Sequence, residues 1–176
     1  MGGVVAGKKE LVQKIYQYRE INGASLQADP AYMIARGMKT LELRIERQNA
    51  SALKIAQYLK AHSKVADVFY PGLTTHPGHE IAQQQMTGFG GIMSFALDGG
   101  YDHVKKLLTT LKLVHLAASL GSVSTLAGPP RTTSHVELTE AQRKLLGIPE
   151  SLIRYSVGIE NVDDLLQDLE EALKSL

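Results

Sequence analysis

Arg154 lies in the run Leu152-Ile153-Arg154-Tyr155-Ser156-Val157-Gly158-Ile159-Glu160-Asn161, with apolar residues on both sides. A half-buried guanidinium needs a partner, and its planar fork suits a carboxylate gripped by two parallel hydrogen bonds. Two partners fit: an Asp or Glu of the same chain, or the acid group of a ligand. Spacing alone slightly favours the internal pair. A second concentration of polar chemistry lies in residues 119–135, with hydroxyls at Ser119, Ser122, Ser124, Thr125, Thr132, Thr133 and Ser134. Hydroxyl-rich loops often do no more than cap and turn.

Two other stretches have the right residue types and the wrong spacing. His76-Pro77-Gly78-His79-Glu80 resembles a metal site, but Pro77-Gly78 keeps the histidines off a shared helical face and no third ligand stands nearby, so no metal is expected. Gly88-Phe89-Gly90-Gly91 lacks the spacing of a dinucleotide fingerprint and opens a strand where such a cradle opens a helix. Close backbone packing is the better account of these glycines.

The elements that must position these groups follow from periodicity. Residues 152–157 favour a strand, Gly158 ends it, and Asn161 caps a helix that starts at Val162. That helix is expected to bury Leu165, Leu166, Leu169 and Leu173 and to leave Asp163, Asp164, Asp168, Glu170 and Glu171 in water. Upstream, residues 1–7 read as a short buried strand, and a chain that opens inside a strand reads as part of something longer. Residues 8–18 form a helix with Leu11, Ile15 and Tyr18 on its buried stripe. Asn22-Gly23 marks a loop, and Asp29-Pro30 offers a cap followed by a first-turn proline. From 31 to about 62 the pattern stays helical, with Leu41, Ile45, Leu53, Ile55, Ala56 and Leu59 inward and Gly37 marking a kink or a second start. A helix of that length commonly bridges two domains, so the boundary is placed within it.

Beyond it, strands are expected over 65–70, 92–97 and 113–118, and helices over 80–86, 104–111 and from Thr139, whose side chain forms a capping box with Gln142, to Leu146. Taken alone, this alternation suggests a parallel α/β sheet; the short turns suit an α+β layer equally.

Composition excludes several classes. Nineteen basic and 18 acidic residues leave a net charge of +1, so nothing calls for nucleic acid or an anionic membrane. No run approaches the ~18 apolar residues of a spanning helix. With no cysteine, there is no disulfide framework and no thiolate chemistry, which is compatible with a cytoplasmic location.

A set of signposts then resembles one family through the whole chain. They are Arg36-Gly37-Met38-Lys39-Thr40-Leu41, Tyr70-Pro71-Gly72-Leu73, His76-Pro77, Gly88-Phe89-Gly90-Gly91 with Ser94-Phe95, Ser119-Leu120-Gly121, and residues 152–160 followed by Asp164-Leu165. In order and spacing they look like the C-terminal half of the pyridoxal-phosphate-dependent Cys/Met metabolism enzymes: the cystathionine γ-synthases, cystathionine lyases, methionine γ-lyases and sulfhydrylases. The resemblance implies an α+β (α/β) fold, the C-terminal domain of a fold-type I transferase. A small, antiparallel-leaning sheet would carry covering helices over residues 46–176, and residues 1–45 would hold the end of the large cofactor-binding domain and the connecting helix.

For chemistry, the resemblance implies that Arg154 grips the substrate's α-carboxylate, that Ser119 lies beside the reactive lysine and that carboxylate, and that Ser134 lines the same region where relatives carry a threonine. Ser124 stands where most relatives have a glutamate, which leaves γ-synthase, γ-lyase and β-lyase chemistry undecided. The resemblance also implies that the Schiff-base lysine and the residues that bind pyridoxal 5′-phosphate lie upstream of Met1; within the chain, Lys39, the least exposed-looking alternative, stands at a helix start and not at a reactive strand end. The expectation is a segment of a transsulfuration enzyme, a homotetramer when full-length, acting on a small amino-acid substrate and inactive alone. The alternative is a truncated, non-catalytic paralogue serving as an assembly module.

Overall fold

The computed structural model describes residues 2–176. Its residues fall into two compact units, one ending at Leu43 and the other spanning Arg44–Leu176.

The first unit is helical. Helix α1 (Lys9–Ile21) ends where Gly23 adopts a φ of 65°, the left-handed conformation that glycine supplies without steric cost. Helix α2 (Ala28–Met38) starts two residues earlier than Asp29-Pro30 implies. Asp29 therefore complements the helix dipole from within the first turn instead of capping it. Pro30 falls where backbone N–H groups lack intrahelical partners, so its missing donor costs nothing. The buried strand expected at residues 1–7 is corrected for its described part. Residues 2–7 form no strand, and Val4 and Val5 are more than half exposed, because no neighbouring strand offers them a ladder. Met1 lies outside the described residues. The stripe of Leu11, Ile15 and Tyr18 has the helical spacing expected of it, yet all three are exposed and α1 buries no residue.

The expected long helix is broken at Lys39-Thr40, after which α3 (Leu41–Ala61) runs on into the second unit. Its buried face is Gln48, Ser51, Ala52, Ile55, Ala56 and Leu59, while Leu41 and Ile45 are exposed. There follow β1 (Val65–Phe69), α4 (His79–Gln85), β2 (Ile92–Leu97), α5 (Tyr101–Thr110), β3 (His115–Leu116), β4 (Leu126–Gly128), a 3-10 turn at Pro130–Thr132, α6 (Glu140–Leu145), β5 (Leu152–Ser156) and α7 (Val162–Lys174).

The five strands make one sheet in the order β1-β2-β5-β4-β3, with β5 at its centre. Every pairing is antiparallel except β3 with β4, which is parallel, so the fold is α+β with a mixed sheet. Alternation along the strands sends Met93, Phe95, Leu97, Ile153 and Tyr155 to one face. There they join Ile55 and Leu59 of α3, Val104 and Leu107 of α5, and Leu165, Leu169 and Leu173 of α7 in a single core. Burying each such aliphatic side chain stabilises the fold by about 1.5–3 kcal/mol.

Two caps match their sequence signatures. Thr139 and Gln142 complete a reciprocal capping box on α6, and Asn161 accepts the Asp163 N–H at the start of α7. Asp168 is a correction: it is buried, not solvated. Its carboxylate accepts the backbone N–H groups of Lys112 and Leu113 at 2.9–3.2 Å, tying the end of α5 to α7.

Candidate functional site

Arg154 sits on the central strand, opposite Ser94 of β2 and Gly128 of β4. Ile153 and Tyr155 point into the core, so alternation puts the guanidinium on the other face of the sheet. There Nη2 donates to two backbone carbonyls, Ser119 at 2.9 Å and Ala117 at 3.3 Å. These bonds fix the guanidinium plane. Nε is buried and has no hydrogen-bond partner. Among the described residues no carboxylate pairs with Arg154; Glu150 pairs with Arg131 and Arg143 instead. The internal ion pair that spacing favoured is not formed. An orphaned donor on a charged group costs about 1–3 kcal/mol or more, a cost that a docking anion would relieve.

The chain leading from β3 is brought to this arginine by its backbone. Ser119 meets Arg154 through its carbonyl, and its exposed hydroxyl makes no hydrogen bond among the described residues. Ser134 is not brought to the pair: its exposed hydroxyl bonds the neighbouring His135 Nδ1 at 2.8 Å. The side chain beside the clamp is Thr133. Its Oγ1 donates to Pro129 O at 2.9 Å, and its methyl lies so close to Gly128 that a Cβ there would meet it at 2.9 Å and the Ala117 carbonyl at 3.2 Å. Gly128 is thus required by the close approach of three segments opposite Arg154. The sequence signal was the apolar run Leu126-Ala127-Gly128 before Pro129, too short to stand out as a strand.

Residues 121–125 are laced to the end of β5. Gly121 turns with a φ of 74° and donates to Ser156 Oγ at 3.0 Å. Gln48 Nε2 holds the Ser122 carbonyl at 2.9 Å, and Ile159 N–H holds that of Val123 at 2.9 Å. Glu160 accepts from Thr125 N–H at 2.6 Å and from its hydroxyl at 2.8 Å, while that hydroxyl accepts from Gly158 N–H. Ser124 therefore sits between two anchored neighbours; its own N–H bonds Ser122 Oγ at 3.2 Å. On the same face of the sheet, Phe89, Ile92, Gly121 and Ser156 border a cavity of about 260 Å³, of which neither Arg154 nor Ser119 forms a wall. A larger cleft of about 560 Å³, floored by Phe69, Ile148 and Pro149, contains neither Arg154 nor Ser119.

The remaining candidates have structural employment. His76 Nδ1 accepts from Gly78 N–H at 3.0 Å, and His79 bonds Pro71 O at 2.8 Å while stacking on Phe89 at 5.5 Å. Every lysine except Lys64 is exposed. Lys64 Nζ donates to the Leu173 and Lys174 carbonyls at the end of α7. Among ionisable groups, Tyr155 stands out: burial raises its pKa first, and the charges of Asp168 and Glu160 add to the rise. Its hydroxyl is buried without a partner.

The family model for the Cys/Met metabolism PLP-dependent enzymes matches residues 1–174. The chain is 45% identical over 178 residues to the L-methionine gamma-lyase of Fusobacterium nucleatum subsp. polymorphum, covering all of this chain and 45% of that protein. It is 42% identical over 176 residues to the chloroplastic cystathionine gamma-synthase 1 of Nicotiana tabacum, covering all of this chain and 33% of that one. A crystal structure of the cystathionine gamma synthase of Xanthomonas oryzae pv. oryzae, in complex with aminoacrylate and cysteine, superposes with a TM-score of 0.90 at 38% identity, over 97% of this chain and 44% of that one. The chain spans less than half the length of these relatives.

Proposed function

Because the chain belongs to the Cys/Met metabolism PLP-dependent enzymes, we propose that it supplies the substrate-carboxylate clamp of an enzyme of sulfur amino-acid metabolism. The reaction class is γ- or β-elimination or replacement on cystathionine, a homoserine ester or methionine. The observation that carries this reading is the guanidinium of Arg154, held by Nη2 to the backbone while Nε stays buried and unpartnered. A carboxylate docking against the Nε edge would satisfy that donor in a charge-assisted bond. Because the plane of the fork is already fixed, little freedom would be lost on binding, and the amino acid's orientation would follow from the arginine's.

In the complete enzyme the electron sink for such reactions is pyridoxal 5′-phosphate. The residues of this chain fit the amino-acid carboxylate and not the cofactor's aldehyde. A lysine that forms an imine near neutral pH must be desolvated or lie beside a cation. Here Lys39 is exposed, Lys64 is bound to helix-end carbonyls, and Lys60, Lys105, Lys112 and Lys174 face carboxylates at the surface. The role assigned to this segment is to bind and orient, and the chain alone is expected to be inactive.

The second reading, a non-catalytic assembly module, is favoured by the exposed apolar side chains Leu11, Ile15, Tyr18, Ile21, Tyr32 and Met33 of the first unit. One pair of measurements separates the two. In the PLP-loaded protein that carries this segment, Arg154→Lys should raise KM for the amino acid by about tenfold or more, since a single ammonium cannot keep the two backbone bonds of Nη2 and also present a donor where Nε lies. An unchanged KM would remove the clamp. The 176-residue chain mixed with pyridoxal 5′-phosphate should show no internal-aldimine absorbance; a band with turnover would overturn the assignment of the lysine to another part of the protein.

A further inference from the structure

Two arginines from separate elements converge on one carboxylate, Glu150, just ahead of the strand that carries the clamp. Arg131 Nη1 lies 2.5 Å from Glu150 Oε2, and Arg143 reaches Oε1 with Nε and Nη2, each at 2.9 Å. Arg143 is the fixed side of this pair. Its side chain is 7% exposed, it stands on the capped helix α6, and it also donates to the Leu138 carbonyl. Arg131 is the loop side. It belongs to the 3-10 turn Pro130–Thr132 that follows β4, and its guanidinium lies 4.1 Å from the centre of the Tyr101 ring.

Glu150 itself precedes β5, four residues before Arg154, and the turn into that strand is closed by Leu152 N–H on Pro149 O at 3.0 Å. The carboxylate therefore connects the strand carrying the clamp to the loop carrying Thr133 and Ser134. Thr133 in turn packs on Gly128, the cross-strand neighbour of Arg154. A carboxylate held on both oxygens cannot swing, so the loop's distance from β5 is set by one side chain and not by the loop's own backbone bonds alone.

We propose that Glu150 is a positioning residue: a strut, made rigid by Arg143, that through Arg131 holds residues 129–135 in place as the wall facing the Arg154 clamp. The proposal rests on Arg154 being the carboxylate clamp. It does not require the strut to touch substrate, and its signature is a loss of substrate grip with the chemistry left intact.

Glu150→Gln is a poor test, because it strands the buried Arg143 and is expected to unfold the second unit. Arg131→Ala removes the loop side, together with its contact on the Tyr101 ring, and leaves Arg143 and Glu150 paired. On the 176-residue chain, Arg131→Ala should accelerate amide exchange in residues 131–135 by about fivefold or more while leaving exchange in β2 and β5 unchanged. In the PLP-loaded protein that carries the segment, the same variant should raise KM for the amino acid by about three- to tenfold with kcat within about twofold, and Arg131→Lys should recover most of the loss. Unchanged exchange in 131–135 overturns the strut. If Arg154→Lys raises KM and Arg131→Ala does not, the strut fails and the clamp stands. If neither variant moves KM, the clamp itself has failed and the strut falls with it.

Discussion

Glu160 accepts the Thr125 N–H at 2.6 Å and the hydroxyl of the same residue at 2.8 Å, across 35 positions of sequence. A carboxylate takes both donors because it is an acceptor on both oxygens; an amide can accept on only one. Arg47 adds a bond to the Glu160 carbonyl, and Gly158 passes so close beneath that any side chain there would strike the Glu160 carboxylate and the Val123 carbonyl. The segment ahead of β4 and the turn after β5 are thus one knot. Glu160→Gln should destabilise the 176-residue chain by about 1.5–3 kcal/mol, since one donor of Thr125 must face an amide N–H or go unpaired. Urea unfolding measures the loss. A double-mutant cycle with Thr125→Val checks its origin, because coupling near zero would place the cost elsewhere.

The parts of this architecture legible in sequence are those governed by near neighbours. The strand at 92–97 followed from the glycines at its ends, and the core of the strand at 152–157 from strand-favouring residues closed by Gly158; Thr139-Gln142 and Asn161 cap as their spacing implies. Arg154 was legible as a cation in need of a partner because it interrupts an apolar strand. Long-range relationships were not legible. Asp168 shares a charged helix face in sequence, but it is buried because the segment that follows α5 presents the N–H groups of Lys112 and Leu113 to it. The stripe on α1 has correct helical spacing and no cover within its own unit. The strut of Arg131, Glu150 and Arg143 left no trace, since no periodicity links residues on a turn, a helix and the lead-in to a strand. Strand β4 was missed because three residues are too few to alternate.

Tyr155 places a hydroxyl in the core where nothing receives it. Its ring packs 6.2 Å from that of Phe95 and is fully buried, so removing the oxygen alone leaves the packing in place. Tyr155→Phe should therefore keep the fold and raise its stability by about 1 kcal/mol, the part of a buried donor's desolvation cost that is recovered when the donor is deleted. A fall of comparable size in the urea midpoint would mean that the hydroxyl has a partner and contributes to holding β5.

Acid should weaken the second unit through the carboxylates of α7. The Lys174 ammonium and then the Tyr58 hydroxyl hold Glu170 below the usual carboxylate range, and Lys112 with Gln167 does the same for Glu171. A folded pKa below the unfolded one means that the unfolded chain binds protons first as pH falls. The stabilisation is complete above the unfolded value near ~4.3 and is lost as pH drops through the folded values. Glu171 is exposed and Glu170 only partly covered, so the effect is small and screened by salt. Thermal midpoints between pH 6 and 3 should decline less steeply for a Glu170→Gln, Glu171→Gln variant than for the parent, and the difference should shrink in 1 M salt. Identical slopes would show that these pairs do not couple to folding.

Alkali should act through the tyrosines with the opposite sign. Burial pushes Tyr70 up to about 12 while its hydroxyl bonds the Gly90 carbonyl. Burial, with the bond to Glu170 second, raises Tyr58, and burial raises Tyr155. An unfolded phenol ionises near ~10, so above that pH the folded state retains protons that the unfolded state has released, and stability falls as pH rises. The loss begins near pH ~10 and continues through the folded value of Tyr70. Of the seven tyrosines, these three should stay un-ionised at pH 11 in the folded chain and ionise together when it unfolds. Absorbance at 295 nm followed alongside far-ultraviolet circular dichroism separates the two events. Phenolate from all seven appearing while the helical signal is intact would mean that water reaches the core beneath β5, which the packing of Phe95, Ile153 and Leu169 around Tyr155 does not allow.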